Sequence, residues 1–348
     1  MSAPQTLTRT TCPYCGVGCG LLAGADGSIK GDPDHPANYG RLCSKGAALG
    51  QTIDLAGRLL APQINGQEAS WDETLGLMAE KFSTAIRDHG PDSVAFYISG
   101  QLLTEDYYVA NKLMKGFIGS ANIDTNSRLC MASAVAAHQR AFGEDIVPCS
   151  YSDLEEAELI LLVGSNTAWC HPVIWQRIEK ARSETGAKLV VIDPRRTETA
   201  EQADLHIPVA PDGDVALFNA LLAELAAGGS LDAEFLGQHC DLPPGFFDAL
   251  DAGSHGIAPD LFARLANLVA TSPRMVTLFS QGANQSTCGT DKGNAIINLH
   301  LATGRINITQ IDCREIDIAG HIFGYCDIGG QATGVGWVII DPANIHVH

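Results

Sequence analysis

Four short apolar runs, each followed by a turn and a helical pattern, dominate the sequence from residue 158 to residue 302. The runs are ELILLV (158–163), AKLVVI (187–192), LHIPVA (205–210) and MVTLF (275–279). Parallel strands need a crossover connection between them, and a helix is the usual crossover. The alternation therefore predicts an α/β fold with a doubly wound parallel sheet.

A less regular version of the same pattern precedes these runs. Apolar residues at helical spacing predict a helix over 71–89, and Gly90 stands where a helix C-cap is expected. SVAFYI (93–98) predicts a short buried strand. A further helix is predicted over 127–142, with Ser127 as its N-cap.

Polar turns end the predicted strands, and in open parallel sheets ligands bind just beyond the carboxyl ends of the strands. Several turns precede helix starts, which favour phosphate groups. The sequence has neither a G-x-G-x-x-G fingerprint nor a P-loop lysine motif. Each turn alone is more often an ordinary connection, but five together favour a large phosphate-bearing cofactor. The turns are SGQ (99–101), GSN (164–166), DPRRT (193–197), PDGD (211–214) and QGANQ (281–285).

Three cysteines occur within eight residues near the N-terminus, in CPYCGVGC, and a fourth follows in RLCSKG. Together they form the pattern C-x2-C-x3-C-x23-C, made by Cys12, Cys15, Cys19 and Cys43. Three clustered thiolates and one remote thiolate are typical of a cubane [4Fe–4S] cluster. Structural zinc is the first alternative, although zinc sites more often show two separated C-x-x-C pairs. Unrelated buried thiols are the second.

Charge and composition exclude several classes of function. The 348 residues carry a formal net charge of −18, which disfavours binding to nucleic acid and to anionic membranes. No apolar run is long enough to span a bilayer. The first residues show neither an apolar signal segment nor a twin-arginine pair, so we expect a cytoplasmic protein. In that compartment the eleven cysteines are expected to be metal ligands or free thiols.

Cys130 lies in the helical stretch SRLCMASAVAAHQRAFG. A single cysteine in such a stretch is usually a small core residue. A position near a helix N-terminus would lower its pKa, as metal ligation or nucleophilic chemistry requires. The residues alone leave both interpretations open.

The motifs taken together resemble those of the molybdopterin oxidoreductases, over about residues 9–306. The similar segments are CPYCGVGC with LCSKG, NSRLCMASAVAAHQRAFGED, GSNTAWCHPV, DPRRTETA and QGANQ. The resemblance implies a small N-terminal [4Fe–4S] domain followed by doubly wound, Rossmann-like parallel-sheet domains. The expected ranges are 1–55 for the cluster domain, 56–140 for the first half of an α/β domain with the molybdenum thiolate, 141–306 for a dinucleotide-binding domain and 307–348 for a divergent tail.

The resemblance also implies two cofactors, a [4Fe–4S] cluster and molybdenum bis(molybdopterin guanine dinucleotide). By match of motif, Lys45 is expected to bridge cluster and pterin, and Cys130 is expected to bind molybdenum. The four cysteines of the quartet are expected to bind the cluster. The segments expected to hold the dinucleotides contain Gln101, Asn126, Gly164, Ser165, Asn166, Asp193, Asp212, Gly213, Asp214, Gln281 and Gln285.

Met131 directly follows Cys130, and this pair is similar to the nitrate reductases of the family. Formate dehydrogenases typically have histidine after their metal thiolate. The resemblance therefore implies oxygen-atom transfer from nitrate, giving nitrite, with two electrons supplied through the cluster. Arg128 and Arg140 are candidates for positive charge near the substrate. The implied electron donor is a ferredoxin, a flavodoxin or an NAD(P)H-dependent reductase subunit.

The resemblance ends after Ile306, and family members are much longer. A frameshift or a fragment with about 40 unrelated residues explains this departure most simply, and it predicts that the chain is inactive alone. Two alternatives to a nitrate reductase stay open. One is a formate dehydrogenase-like molybdoenzyme, against which Met131 argues. The other is a non-catalytic iron–sulfur electron-transfer subunit, which the presence of Cys130 disfavours.

Overall fold

The computed structural model describes residues 7–100, 102–250, 255–306 and 316–317. The described chain forms two compact units. The first contains the residues up to Thr52 and those from Ser133 onward, and the second contains Ile53–Ala132. The segment predicted to be a separate cluster domain thus groups with the sheet-bearing part of the chain. Apart from residues 316–317, the predicted tail lies outside the described residues.

The strands and helices alternate along most of the described chain. The strands are β1 (Leu7–Thr11), β2 (Gly20–Gly24), β3 (Ile29–Gly31), β4 (Gln63–Ile64), β5 (Gln67–Glu68), β6 (Phe96–Ile98), β7 (Ile123–Thr125), β8 (Leu159–Val163), β9 (Lys188–Ile192), β10 (Leu205–Ile207), β11 (Cys240–Asp241), β12 (Met275–Phe279) and β13 (Ile316–Asp317). The α-helices are α1 (Ser44–Ala47), α2 (Trp71–His89), α3 (Thr104–Asn111), α4 (Ala132–Phe142), α5 (Tyr151–Glu156), α6 (Thr167–Cys170), α7 (Pro172–Thr185), α8 (Glu198–Glu201), α9 (Asp214–Ala227), α10 (Ala233–His239), α11 (Pro259–Thr271), α12 (Gln281–Asn284) and α13 (Gly289–Ala302).

A four-stranded parallel sheet with the order β10-β9-β8-β12 forms the centre of the first unit. From β8 the chain passes through α7 to β9 and through α8 to β10. It then returns to the other side of β8, where β12 pairs. This change of direction confirms the predicted doubly wound sheet. It also creates a crevice between the loops that follow β8 and β12, the place where such sheets bind ligands.

Both faces of the sheet are covered, as parallel sheets require. Successive residues of a strand point to opposite faces. In β8, Leu159, Leu161 and Val163 belong to the same core as residues of α9, α11 and α13. Ile160 and Leu162 belong to a second core, with residues of α5 and α7. The uninterrupted apolar run of this strand follows from burial on both sides.

The N-terminal segment packs on the second face of this sheet. β1, β2 and β3 form an antiparallel sheet with β2 in the middle. Val17 and Cys19, in the loop between β1 and β2, belong to the same core as Ile160 and Leu162. The cysteine loop is therefore attached to the α7 face of the parallel sheet.

The second unit is smaller and contains the predicted helix over 71–89. This helix, α2, begins with a capping box between Ser70 and Glu73 and ends at Gly90, as predicted. β6 pairs in parallel with β7, and the small core beneath them contains Val94, Met114 and Ile123. Within the described ranges, no helix has the length and apolarity to cross a membrane.

Three details of the sequence prediction are wrong. The helix predicted over 127–142 begins only at Ala132, because Asn126–Leu129 forms a separate 3-10 helix. The Asn126 side chain accepts a hydrogen bond from the Gly100 amide at 2.5 Å, which holds the chain at this turn before the helix can start. Ser127 is therefore not the N-cap of α4. The QGANQ turn contains the one-turn helix α12, and the SGQ turn follows β6, outside the four-stranded sheet.

Candidate functional site

Four cysteines line one cavity of about 100 Å³ in the first unit, namely Cys12, Cys15, Cys19 and Cys43. The loop between β1 and β2 carries the first three, and Cys43 stands directly before α1. The structure thus brings together the quartet expected from the spacing.

The first three cysteines occupy a tightly closed loop. The Cys12 amide donates to the Cys19 carbonyl at 2.9 Å, which closes the loop at its base. Gly18 has a φ of +69°, a conformation that glycine adopts without steric cost. Its amide donates to the Cys15 carbonyl at 3.4 Å. The loop therefore turns back on itself and presents the thiols to one cavity.

Asn38, which the sequence analysis did not single out, joins the two segments that carry the cysteines. Its side chain is fully buried. Its Oδ1 accepts from the Gly20 amide at 2.8 Å, and its Nδ2 donates to the carbonyls of Gly20 and Arg41 at 3.1 and 2.9 Å. Gly20 directly follows Cys19, and Arg41 lies two residues before Cys43. The buried side-chain amide of Asn38 thus fixes the segment that carries the first three cysteines relative to the segment that carries Cys43.

The surroundings of the thiols fit a multi-atom cluster better than one metal ion. In the described part of the chain, no three His, Cys, Asp or Glu side chains come close enough together to hold a single ion. The cavity between the four cysteines has room for several atoms. Burial and, to a smaller extent, the nearby thiols of Cys12, Cys15 and Cys43 raise the pKa of Cys19 to about 11. Four thiolates here would repel one another unless cations such as cluster irons lay between them.

Further residues reach the same cavity. Lys45 of α1, which is expected to bridge cluster and pterin, lines it. The structure adds Trp169 and Cys170 of α6 and the first residues of α7, Pro172 and Val173. Sequence reasoning missed these four residues because their approach to the cysteine loop depends on how the N-terminal segment packs on the sheet.

The short helix α6 connects the cysteine cavity to the crevice of the sheet. It begins directly after Asn166, in the turn that follows β8, and ends at Cys170 in the cavity wall. Four helical residues span about 6 Å. One turn of helix therefore joins the cavity wall to the turn that follows β8.

The crevice itself is formed by two glycines whose backbones touch. The Gly282 amide donates to the Gly164 carbonyl at 3.0 Å. A Cβ on Gly164 would lie 2.7 Å from the backbone nitrogen of Ala283, and a Cβ on Gly282 would lie 2.6 Å from the Gly164 Cα. Gly164 also has a φ of +55°. The loops after β8 and β12 can meet only because both positions lack a side chain.

Comparison with known families assigns the chain. The family model described as molybdopterin oxidoreductase matches residues 58–326, and that of the molybdopterin oxidoreductase Fe4S4 domain matches residues 5–55. The chain belongs to the molybdopterin oxidoreductase family. The first match includes the beginning of the segment that we predict to be divergent.

Relatives in this family are longer than the chain. It is 49% identical to a nitrate reductase of Klebsiella oxytoca, over 94% of this chain and 39% of that protein. It is 45% identical to a nitrate reductase of Shewanella frigidimarina, over 94% of this chain and 37% of that protein. The acetylene hydratase structure from Pelobacter acetylenicus matches 86% of this chain and 43% of its own, with a TM-score of 0.72 and 23% identity, and so supports the fold alone. The chain thus spans about two fifths of the length of these curated relatives.

In this molybdopterin oxidoreductase, internal hydrogen bonds order the turns after β8 and β9. The Ser165 hydroxyl lies 2.9 Å from that of Thr167. The Thr199 hydroxyl donates to Asn166 Oδ1 at 2.7 Å. Asp193 Oδ1 accepts from the Arg195 amide at 2.8 Å, and the carboxyl is buried. The expected dinucleotide residues Ser165, Asn166 and Asp193 thus lie at the carboxyl edge of the sheet, in turns that are already ordered.

The PDGD turn is held from below by Lys292 of α13, a residue that the sequence analysis missed. The Lys292 side chain is 2% exposed, and its Nζ lies 2.8 Å from Asp212 Oδ1 and 2.9 Å from Asp214 Oδ2. Burial disfavours the lysine charge, but the two carboxylates outweigh burial and raise its pKa. Lys292 and the Ser286 hydroxyl in turn lower the pKa of Asp212. Asp214 is buried, so of the two carboxylates only the exposed Asp212 is open to a ligand.

Replacing Lys292 with methionine is expected to destabilise the first unit by about 3–5 kcal/mol, since it leaves the buried Asp214 carboxylate without its cation. The low pKa of Asp212 contributes stability above its unfolded value of about 3.9, and this contribution is lost as the pH falls through the lowered folded pKa. The difference between wild type and variant should therefore be largest near neutral pH and should shrink in acid. Urea unfolding at pH 7 and at about pH 3 measures both quantities.

Lys180→Met is the matched control, because Lys180 pairs with Glu184 on the exposed side of α7. Exposed pairs of this kind contribute about 0.3–0.5 kcal/mol. Equal losses in the two variants would contradict a role for Lys292 in holding the PDGD turn.

Other expected site residues are placed as follows. Gly213 is the N-cap residue of α9, and Gln281 is the first residue of α12, where its Oε1 accepts from the Ser280 hydroxyl at 2.8 Å. Gln285 follows the last residue of that helix. Arg140, a candidate for positive charge near the substrate, lies in an ion pair in which its Nη1 is 2.8 Å from Asp291 Oδ1.

In the second unit, Asn126 directly follows β7, and its side chain accepts a hydrogen bond from the Gly100 amide, shortly after the end of β6. Cys130 and Met131 are half-buried and lie between the 3-10 helix and α4. Cys130 is thus close to a helix N-terminus, as expected. Gln101 and the side chain of Arg128 lie outside the described residues.

Proposed function

We propose that the chain is the cluster-bearing part of a molybdenum-dependent nitrate reductase, which reduces nitrate to nitrite by oxygen-atom transfer. The observation that carries this proposal is the four-cysteine cavity, joined through α6 to the crevice of the parallel sheet. An electron carrier beside a dinucleotide crevice is what a redox enzyme of this family needs. The names of the relatives and the Cys130–Met131 pair favour nitrate as the substrate.

The chain's own residues divide the work between two places. Cys12, Cys15, Cys19 and Cys43 would hold the cluster, and Lys45, which lines the same cavity, would contact the pterin. At the carboxyl edge of the sheet, the turns containing Gly164–Asn166, Asp193, Asp212–Asp214 and Gln281–Gln285 hold the guanine dinucleotide. Their backbone amides and ordered polar side chains suit a ligand with phosphate and ribose groups.

From its place before α4, Cys130 would supply a soft thiolate ligand to the metal. When bound as its bis(molybdopterin guanine dinucleotide), molybdenum supplies the two-electron oxygen-atom transfer. The Met131 side chain has no titratable group, in keeping with a reaction that needs no side-chain base at this position. Arg128 supplies positive charge toward the nitrate anion.

The electron donor is proposed to be a ferredoxin, a flavodoxin or an NAD(P)H-dependent reductase subunit. We place the protein in the cytoplasm, where thiols stay reduced. Nitrate assimilation is the role that fits this location.

Anaerobic purification followed by metal analysis and a viologen assay tests the proposal. We expect four irons per chain, in keeping with the Fe4S4 match. In the complete protein we also expect molybdenum, and nitrite formed from nitrate with reduced viologen as donor. Zinc in place of iron would overturn the cluster assignment. Formate oxidation without nitrite formation would favour the formate dehydrogenase alternative, and iron without molybdenum would favour the electron-transfer subunit.

Cys130→Ser is expected to abolish nitrite formation and molybdenum retention while the iron content stays unchanged, because the hard hydroxyl is a poor substitute for a soft thiolate. Cys149→Ser is the matched control, since Cys149 is also half-buried but lies outside the expected motifs. A Cys130→Ser protein with wild-type molybdenum and activity would contradict the assignment of Cys130.

A further inference from the structure

A buried arginine connects α7 to the N-terminal segment that holds the cluster cysteines. The Arg177 side chain is only 1% exposed. Its Nη1 donates to the carbonyls of Pro36 and Ala37 at 2.6 and 2.9 Å, and its Nε donates to Glu155 Oε1 at 3.0 Å. Both carbonyls belong to the connection between β3 and α1, a few residues before Cys43.

The Arg177 guanidinium is also enclosed by two aromatic rings. Its Cζ lies 5.2 Å from the ring centroid of Tyr39 and 5.3 Å from that of Tyr151, within the range of cation–π attraction. The Tyr151 hydroxyl donates to the Val17 carbonyl at 3.0 Å. Val17 lies in the loop that carries the first three cysteines, so Tyr151 stands between the arginine and the cluster cavity.

Tyr151 interacts electrostatically both with the thiols of the cavity and with Arg177. Burial raises the pKa of Tyr151, the thiol of Cys19 raises it further, and the positive charge of Arg177 opposes this rise. Cys15 adds to the effect of Cys19. A charge on Arg177 therefore lies within electrostatic reach of the cysteine loop, through a region of low dielectric constant.

Packing alone does not account for a cation at this position. Burying a charge is costly, and an apolar side chain of similar volume is often as stabilising as a buried ion pair. Among the described residues, Glu155 is the carboxylate that pairs with Arg177, and because it is 34% exposed, water weakens the attraction between the two charges. The two other hydrogen-bond acceptors are neutral carbonyls. Arg177 thus leaves a positive electrostatic potential on the buried side of α7, beneath the cysteine loop.

We propose that Arg177 is a positioning residue that fixes the cysteine loop through Tyr151 and the 36–37 carbonyls, and that its charge raises the reduction potential of the cluster. The inference rests on the proposed [4Fe–4S] assignment. One electron from the protein or flavin donor adds one negative charge to the cluster and later leaves it, and no bond or proton changes place. A fixed positive charge nearby stabilises the reduced form and so makes electron entry more favourable.

The test is an EPR-monitored redox titration of the full, anaerobically purified chain, with iron measured on the same samples. Arg177→Met should shift the midpoint potential to a more negative value, so that the ratio of reduced to oxidised cluster at the wild-type midpoint falls ~10-fold, or ~59 mV for a one-electron couple. Arg177→Lys keeps the positive charge but lacks the planar guanidinium that donates to Glu155 and the two carbonyls. Its midpoint potential should therefore lie close to wild type, while its iron content should fall. Glu155→Gln removes a negative charge and should shift the midpoint in the positive direction.

Arg182→Met is the matched control. Arg182 also lies on α7, but it pairs with Glu179 and Asp204 away from the cavity, so its loss should leave the midpoint unchanged. Midpoints equal to wild type in Arg177→Met and Glu155→Gln would overturn the inference and leave Arg177 a structural residue. If Arg177→Met holds no cluster, Glu155→Gln and Arg177→Lys still decide the matter. A wild-type chain without iron would instead refute the proposed function.

Discussion

Gly164→Ala is expected to destabilise the first unit by about 2–5 kcal/mol, the sum of about 1–3 for overpacking and about 1–2 for a left-handed alanine. The new Cβ would meet the backbone of Gly282 and Ala283 at 2.7 Å, and backbone atoms cannot move aside as a flexible side chain can. Since β8 is central to the sheet, separating the loops after β8 and β12 should disturb the whole crevice. Thermal and urea unfolding followed by circular dichroism measures the loss.

Gly186→Ala isolates the contribution of backbone conformation. Gly186 has a φ of +78° at the end of α7, and a Cβ there would meet no atom within 4 Å. Its replacement should cost only the left-handed penalty of about 1–2 kcal/mol. Bound guanine nucleotide, measured after denaturation of the complete protein, should fall in Gly164→Ala and stay unchanged in Gly186→Ala. Equal stability and nucleotide content in the two variants would contradict a crevice that depends on close approach of the loops.

Asn38→Ala is expected to remove most of the iron from the protein. The substitution leaves one buried amide and two carbonyls without their side-chain partner, at a cost of about 3 kcal/mol or more. The segments that carry Cys19 and Cys43 would then no longer be held together. The cavity loses its fourth ligand position, and iron per chain, with the visible absorption of the cluster, reports the effect.

Asn38→Asp separates the two kinds of hydrogen bond at this position. A carboxylate can still accept from the Gly20 amide, but it cannot donate to the carbonyls of Gly20 and Arg41, so intermediate or complete loss of iron is expected. Asn122→Ala is the control, because Asn122 makes one exposed side-chain bond, to the Asp92 carbonyl, in the second unit. Wild-type iron content in Asn38→Ala would show that the quartet is held by the cysteine loop alone.

Local patterns were sufficient to predict the sheet and the four cysteines that line one cavity. Each of the four apolar runs contains a strand of the parallel sheet, because strands that are covered on both faces are mostly apolar. Cys12, Cys15 and Cys19 are neighbours along the chain, so their spacing alone indicates a common ligand. Pro172 and Gly90 correctly marked the start of one helix and the end of another, since both act through the backbone of their own turn.

Predictions were less accurate for residues whose contacts are distant in the sequence. The 3-10 helix before Cys130 interrupts a stretch that reads as one helix, because Asn126 bonds to Gly100, 26 residues away. Arg140 was expected to offer its charge to a substrate, yet it pairs with Asp291, 151 residues away. Helical periodicity carries no information about either partner.

The sequence by itself determined the α/β class, the strand–turn–helix order, the four cysteines that meet at one cavity and the family to which the chain belongs. These properties depend on residues that are close together in the chain, or on motifs that can be identified from residue types and spacing alone. The tertiary structure alone decided what holds the site in place: Asn38 between the cysteine segments, Lys292 beneath the PDGD turn and Arg177 against the cysteine loop. Arg177 and Pro36 are 141 residues apart, and a buried charge or amide becomes meaningful only when folding removes water and leaves one partner within reach.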